Sequence, residues 1–424
     1  MPSPRPPKSD AYRAILRELL DAGGLSRAEL YRRTGMRPNT IGEAVDEMAS
    51  AGWVRESGSL RPARRLPGEG RGRPAVRVEI DESRRDVVGL AIRPKRVEAV
   101  RLSLRGQVIG DVRSRALRGP RGVARIAAGL LAECLSPRSL AVGVSSTGLI
   151  DEGDMKLLFN SISHGPRGLS LGPVLSVVGD LPLAMENNIH ALGDRWRLAH
   201  PAAGDETVLL VELGDGEVGA SFMPGGGPAD AGCVRGGNEL GHTQVPAPGV
   251  EVSRCFCGQP RCLERVFSTP MVRRLTGTGR RLGSVLAEWA RAPMALTVAG
   301  ADPGDPGREP AAWIMGRLVE AVSNTANLLR PHRVVWTGTG PIARVLPELE
   351  APLSRAVSAN LMPVLRERVG FEAWTIEEHA GDLAPAVTAG HLALAILTRQ
   401  RAAASGEVRL DPNTRASAPR EALR

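Results

Sequence analysis

Three observations predict an α/β chain headed by a winged helix-turn-helix. The first eighty residues hold three short helix-patterned stretches broken by glycine, then two strand-like runs flanking an arginine-rich loop. Beyond residue 80, β-rich runs alternate with apolar-periodic helical stretches, the order of an α/β fold. One histidine and three cysteines then gather between positions 242 and 262.

Composition bounds the architecture. A chain of 424 residues with 42% hydrophobic and 24% charged side chains can bury the cores of two or three domains. No apolar run approaches the roughly 20 residues that cross a bilayer. The start, Met1-Pro2-Ser3-Pro4-Arg5, lacks the apolar stretch of a secretory signal. The expectation is a cytoplasmic, nucleoid-associated protein with no membrane partner, whose cysteines stay reduced and favour metal ligation over disulfides. The net charge of +9 is uneven: residues 1–80 hold 15 Lys+Arg against 10 Asp+Glu, and the rest hold 40 against 36. A positive field concentrated in one short region suits a phosphate backbone.

In chain order, Ala11, Ile15, Leu16, Leu19 and Leu20 form a helical stripe that Gly23-Gly24 stops. Ser26 with Glu29 reads as a capping box opening a second helix. Thr34-Gly35-Met36 is a tight turn, and Pro38 opens a third helix with Ile41, Val45 and Met48 on one face. Its opposite face presents Asn39, Thr40 and Glu43, with Arg37 just before, where a recognition helix meets base edges in a major groove. Trp53-Val54 and residues 75–80 read as strands around a wing with Arg61, Arg64, Arg65, Arg71 and Arg73, suited to phosphates or a narrow minor groove. Strands are expected over 87–92, 96–102, 140–146 and 207–213, with helices over 121–134 and 168–178.

His242, Cys255, Cys257 and Cys262 are the ligand set of a closed structural zinc site, one ion per chain. Three thiolates and an imidazole complete a tetrahedron without an open position for water, and Gly258 and Pro260 allow the connecting turn. Cys134 and Cys233 read as small core residues.

Five signatures in order resemble the ROK family (repressor, open reading frame, kinase), of the N-acetylglucosamine- and xylose-repressor type. They are the winged helix-turn-helix, Glu186-Asn187-Asn188-Ile189-His190, the segment from Gly237 through Glu239 to His242, the Cys255–Glu264 segment, and Thr337-Gly338-Thr339-Gly340. The resemblance implies an actin-like (ribonuclease H-like), two-lobed sugar-kinase fold. It implies zinc on the four residues above, and homodimers or homotetramers with paired DNA-binding heads. A sugar between the lobes would meet Asn187, Asn188, Glu239, His242 and Glu264. The expected organisation is a disordered tail over 1–9, the head and linker over 10–80, and a first lobe over 85–190 completed by a closing helix over 381–399. A second lobe with the zinc site follows over 191–380, and a disordered tail over 401–424.

The departures shape the functional expectation. Asn188 stands where the resembling kinases carry an aspartate base, and an amide cannot take a proton. Ala91-Ile92-Arg93-Pro94-Lys95 replaces their first phosphate loop, and Asp215 and Glu217 bring carboxylates to the second. His190 and Thr147 also differ from the family pattern. The expectation is a non-enzymatic DNA-binding regulator, a repressor of carbohydrate-metabolism genes on a palindromic operator, whose degenerate kinase domain senses a sugar or sugar derivative. The alternatives are an ATP-dependent sugar kinase with an accessory head, and a sugar-blind regulator controlled by a protein partner.

Overall fold

The computed structural model describes residues 10–60, 75–119, 121–151, 155–159, 168–225, 239–291, 309–376 and 384–398. The head holds α1 (Asp10–Ala22), β1 (Leu25–Ser26), α2 (Arg27–Thr34), α3 (Pro38–Ser50), β2 (Val54–Leu60) and β3 (Ala75–Ile80). The three strands form a small sheet in the order β1-β3-β2. The apolar stripe of α1 is buried with Leu30, Ile41, Val45, Met48 and Trp53, so the three helices and the sheet share one core.

The first lobe is built on a five-stranded sheet of order β11-β7-β4-β5-β6. Its strands are β4 (Asp86–Ile92), β5 (Arg96–Ser103), β6 (Val108–Ala116), β7 (Ser139–Ser146) and β11 (Leu183–Asn187). A smaller sheet of β8 (Leu149–Asp151), β9 (Lys156–Phe159) and β10 (Leu169–Ser170) sits beside it. The central strands β4 and β7 are buried throughout and read as continuous apolar runs, whereas edge strand β6 is mostly exposed. Alternation along β4 divides the layers. Val88, Leu90 and Ile92 pack with α4 (Val123–Cys134) and α5 (Gly172–Val178). Val87 and Ala91 face the other side, toward the final helix, α13 (Ala384–Thr398). The helix expected over 168–178 is shorter: Leu169–Ser170 pairs with β9, and Pro173 stands in the first turn of α5.

Two glycines let α13 lie directly on that sheet. A Cβ at Gly143 would stand 1.9 Å from the Ala389 carbonyl oxygen, and one at Gly89 2.2 Å from that of Ala386. The same helix touches α1, so the head and first lobe share a continuous core. Arg105 reinforces the junction by donating to the Gly23 carbonyl at 2.6 Å and pairing with Glu82 at 2.8 Å.

The second lobe repeats a hairpin extended by parallel strands, in the order β13-β12-β14-β15. It comprises β12 (Val208–Gly214), β13 (Glu217–Met223), β14 (Arg333–Gly338) and β15 (Gly370–Ala373). Leu209, Val211 and Leu213 face α7 (Leu263–Val266), α8 (Thr269–Thr276), α9 (Leu282–Arg291), α10 (Pro310–Leu329) and α11 (Gly340–Ala359), with α12 (Pro363–Arg366) following. Val208 and Leu210 face α6 (Asn188–Ala199), which leaves β11 of the first sheet and also packs on α13. Helix α6 is therefore the joint between the lobes.

Candidate nucleic-acid interface and metal centre

The head is held by local chemistry that its sequence spells out. The Ser26 hydroxyl accepts from the Glu29 amide at 3.2 Å, and Glu29 accepts from the Ser26 amide at 2.8 Å, the reciprocal bonds of a capping box. Gly35, at φ 69°, ends α2 in the left-handed conformation, and Pro38 opens α3 after an extended Arg37. Ile41, Ala44, Val45 and Met48 are buried, which turns Arg37, Asn39, Thr40 and Glu43 outward as one exposed flank. The wing arginines Arg61, Arg64, Arg65, Arg71 and Arg73 lie outside the described residues. The hairpin that carries them, β2 against β3, is antiparallel with a bulge between Ser57 and Ser59.

Arg27 is a residue that sequence reasoning missed. Its guanidinium reaches Asp46 of α3 at 2.5 Å, the Gly42 carbonyl at 3.3 Å and Glu56 of β2 at 2.9 Å. One side chain thus ties β2 to α3. Nothing in the spacing of positions 27, 46 and 56 announces this, because the contact is tertiary.

In the second lobe, the ligand atoms of His242, Cys255, Cys257 and Cys262 all lie within 4.8 Å of one another. The His242 Nδ1 stands 3.4 Å from the Cys255 sulfur, and the Cys257 and Cys262 sulfurs are 3.5 Å apart. Donors on a tetrahedron with metal bonds of about 2.0–2.3 Å are separated by about 3.5–3.8 Å, so the four residues can hold a metal ion. Left-handed backbone at Gly258 (φ 87°) and Arg261 (φ 58°) reverses the chain between the cysteines. Burial and the Glu264 carboxylate, 2.9 Å from its sulfur, push the Cys255 thiol up to about 11, and burial raises Cys262 as well. A cation bound here would displace the thiol protons, since a coordinating cysteine is a thiolate.

The residues expected to meet a sugar surround this centre only in part. The His242 Nε2 is 3.7 Å from Glu239, and its Nδ1 is 3.8 Å from Glu264. Burial raises the Glu239 carboxyl; the His242 ring opposes that rise and Glu264 adds to it. Asn187 caps α6: its Oδ1 accepts from the Ile189 amide at 2.8 Å, and its Nδ2 donates to the Gly148 carbonyl at 2.8 Å. Asn188 begins the helix, half-buried, and Ile189 packs against Gly219 of β13. The adjacent Val218 carbonyl lies against Gly241, so β13 touches both the start of α6 and the metal loop.

The β12–β13 turn is internally satisfied. The Gly216 amide donates to the Phe267 carbonyl at 3.0 Å, and the Asp215 carboxylate accepts from the Thr269 amide and hydroxyl, both at 2.6 Å. Asp215 therefore serves α8 rather than standing free. On the adjoining strand, burial pushes the Glu212 carboxyl up to about 8, assisted by Glu217 and opposed by Arg93 from the first lobe.

The sequence matches the ROK family over residues 131–395, from within α4 to within α13. The chain belongs to the ROK family. A second match, to a winged helix-turn-helix DNA-binding family, covers residues 12–55. Over 269 residues the chain is 25% identical to the DNA-binding transcriptional repressor Mlc of Escherichia coli, a match covering 62% of this chain and 64% of that protein, just under two thirds of its length. A crystal structure of a ROK family transcriptional regulator, a homologue of the E. coli MLC protein, superposes with a TM-score of 0.66 at 18% identity, covering 92% of this chain and 97% of that one. A ROK family glucokinase from Streptomyces griseus, solved with glucose and AMPPNP, gives 0.51 at 21% identity over 73% of this chain and 99% of that one. These likenesses establish the fold, a winged helix-turn-helix followed by a ROK domain with the actin-like architecture of sugar kinases. Among the described residues no helix is long and apolar enough to cross a membrane.

Proposed function

We propose that the chain is a DNA-binding transcriptional repressor of carbohydrate-metabolism genes, whose ROK domain binds a sugar or sugar derivative and catalyses no phosphoryl transfer. The observation that carries this reading is the exposed flank of Arg37, Asn39, Thr40 and Glu43 on a helix whose opposite face is locked into the head. The wing arginines Arg61, Arg64, Arg65, Arg71 and Arg73 supply phosphate contacts beside it. Two heads related by a homodimer axis, or by the axes of a homotetramer, match a palindromic operator, and such a protein works in the cytoplasm on the nucleoid.

The absence of catalysis is supported by the phosphate turns. Gly216 has already spent its amide, Asp215 is committed to Thr269, and Glu217 brings a further carboxyl group to a turn where a polyphosphate would need donors. Asn188 has no proton-accepting group to activate a hydroxyl. A sugar would be held by Asn188, Glu239 and Glu264, whose amide and carboxyl groups match vicinal hydroxyls, while Asn187 orients α6 and His242 joins the site to the metal loop. Zinc on His242, Cys255, Cys257 and Cys262 would serve as a structural ion that pins this loop. Glu264 follows the ligand Cys262 by two residues, so pinning this loop also places a carboxyl group of the effector site.

Helix α6 touches both sheets and α13, and α13 touches α1, so movement of one lobe on the other reaches the head through packed helices. Coupling of about 1–3 kcal/mol would change operator affinity roughly 5- to 150-fold. The test is to titrate the purified chain, bound to its operator, with hexoses, amino sugars and their phosphates, and to assay the same sugars with ATP. The expected outcome is one sugar class that shifts operator affinity and no ATP-dependent product. ATP-dependent phosphorylation of any sugar would make it a kinase, and indifference to every sugar would favour control by a protein partner.

A further inference from the structure

Helix α3 carries Glu43, Asp46 and Glu47 and no lysine or arginine. That is an unusual surface to press against DNA, which presents one negative charge per roughly 1.7 Å of helix axis. Asp46 is neutralised by Arg27 at 2.5 Å. Glu43 is exposed and makes no hydrogen bond or ion pair among the described residues. It stands one turn beyond Asn39 on the same flank, opposite the buried Ile41, Val45 and Met48. An uncompensated carboxylate at this position costs binding energy to every sequence except one that offers it a donor.

We propose that Glu43 selects a cytosine in each operator half-site by accepting a hydrogen bond from the base's exocyclic amino group. The inference rests on the DNA reading given above and names the base that this reading leaves open. An ionised carboxylate only accepts hydrogen bonds. In the major groove, guanine shows acceptors and thymine shows an acceptor beside a methyl group. Adenine sets an acceptor next to its donor, while cytosine presents its amino donor alone. Cytosine therefore fits Glu43, and adenine fits the donor–acceptor amide of Asn39. Four residues along a helix advance about 6 Å, which spans roughly two base-pair steps. The half-site thus carries an adenine and a cytosine about two pairs apart. The wing arginines supply general attraction to phosphate, and Glu43 subtracts from it wherever the cytosine is missing.

The experiment is selection from a random duplex library with the full chain, compared among the unaltered protein, Glu43→Gln, Glu43→Ala and Asn39→Ala. The unaltered chain is expected to enrich a half-site with a cytosine whose replacement lowers affinity about 5- to 100-fold. Glu43→Gln should move the preference at that one position to adenine. Glu43→Ala should abolish it and strengthen binding to random duplex several-fold, on the order expected for removing one repulsive charge. Asn39→Ala should erase the neighbouring adenine and leave the cytosine. If the unaltered chain enriches a motif and both Glu43 variants enrich the same motif, the assignment of Glu43 is overturned and the DNA reading stands. If the unaltered chain enriches nothing, the DNA reading itself falls.

Discussion

Replacing Gly143 by alanine tests how α13 is seated. The new Cβ would lie 1.9 Å from the Ala389 carbonyl oxygen and 2.7 Å from the Ala393 amide nitrogen, both helix backbone with no rotamer to relax. Restoring an ordinary contact of about 3.4 Å moves the helix off the sheet by about 1.5 Å. Gly390 of the same helix sits against Gly89, so the displacement spreads along α13. A gap of even 0.5–1 Å forfeits roughly a quarter to a half of the dispersion energy across it. Ala386, Val387, Ala393, Leu394 and Leu397 all lie on that buried side. Together with the overpacking itself, the expected loss is about 3–5 kcal/mol. Urea unfolding followed by circular dichroism reads it as a shift of the midpoint, and Gly129→Ala is the control. That glycine lies within α4 with nothing within 4 Å of its missing Cβ, so the change should stabilise by about 0.5–1 kcal/mol. If Gly143→Ala unfolds at the unaltered midpoint, α13 does not rest on this sheet as described.

Two other perturbations follow from the second lobe. Elemental analysis should find one zinc per chain, and chelation at neutral pH should lower the melting temperature by several degrees, an effect that Cys255→Ser or Cys262→Ser reproduces; zinc well below one per chain would contradict the metal centre. Burial raises the Glu212 carboxyl from an ordinary 4.5 to about 8, so the protonated form is the one the fold accommodates. Its stabilising contribution is full below about pH 4.5 and is lost as pH rises through about 8. Glu212→Gln should therefore match the unaltered chain at pH 4 and exceed it at pH 9 by on the order of 2–4 kcal/mol in thermal or urea unfolding, and an unchanged pH profile would refute the assignment.

Much of the head was legible because its signals are local. The Ser26–Glu29 capping box, the glycine at 35 and the proline at 38 each act within one turn, and the structure places a cap, a left-handed residue and a helix start there. The strand-like runs at 87–92, 96–102 and 140–146 are β4, β5 and β7, whereas β6 and β11 of the same sheet were not anticipated. The closeness of His242, Cys255, Cys257 and Cys262 was legible from spacing and side-chain chemistry. What escaped was tertiary. Arg27 bridging α3 and β2, Asp215 reaching across 54 positions to Thr269, and the glycine seats beneath α13 pair residues far apart in the chain, and no periodicity marks them. Asn187 illustrates a subtler limit. Its amide, expected to meet a sugar, is a helix cap, and only the hydrogen bonds to Ile189 and Gly148 reveal how it is spent.

The most direct test of the whole account is the ratio of affinities of the purified chain for its selected duplex and for a scrambled duplex of equal length, measured at physiological salt. A regulator reading bases through α3 is expected to prefer its site by at least about 1,000-fold, and both affinities should fall as salt rises. Equal affinity for the two duplexes would contradict it.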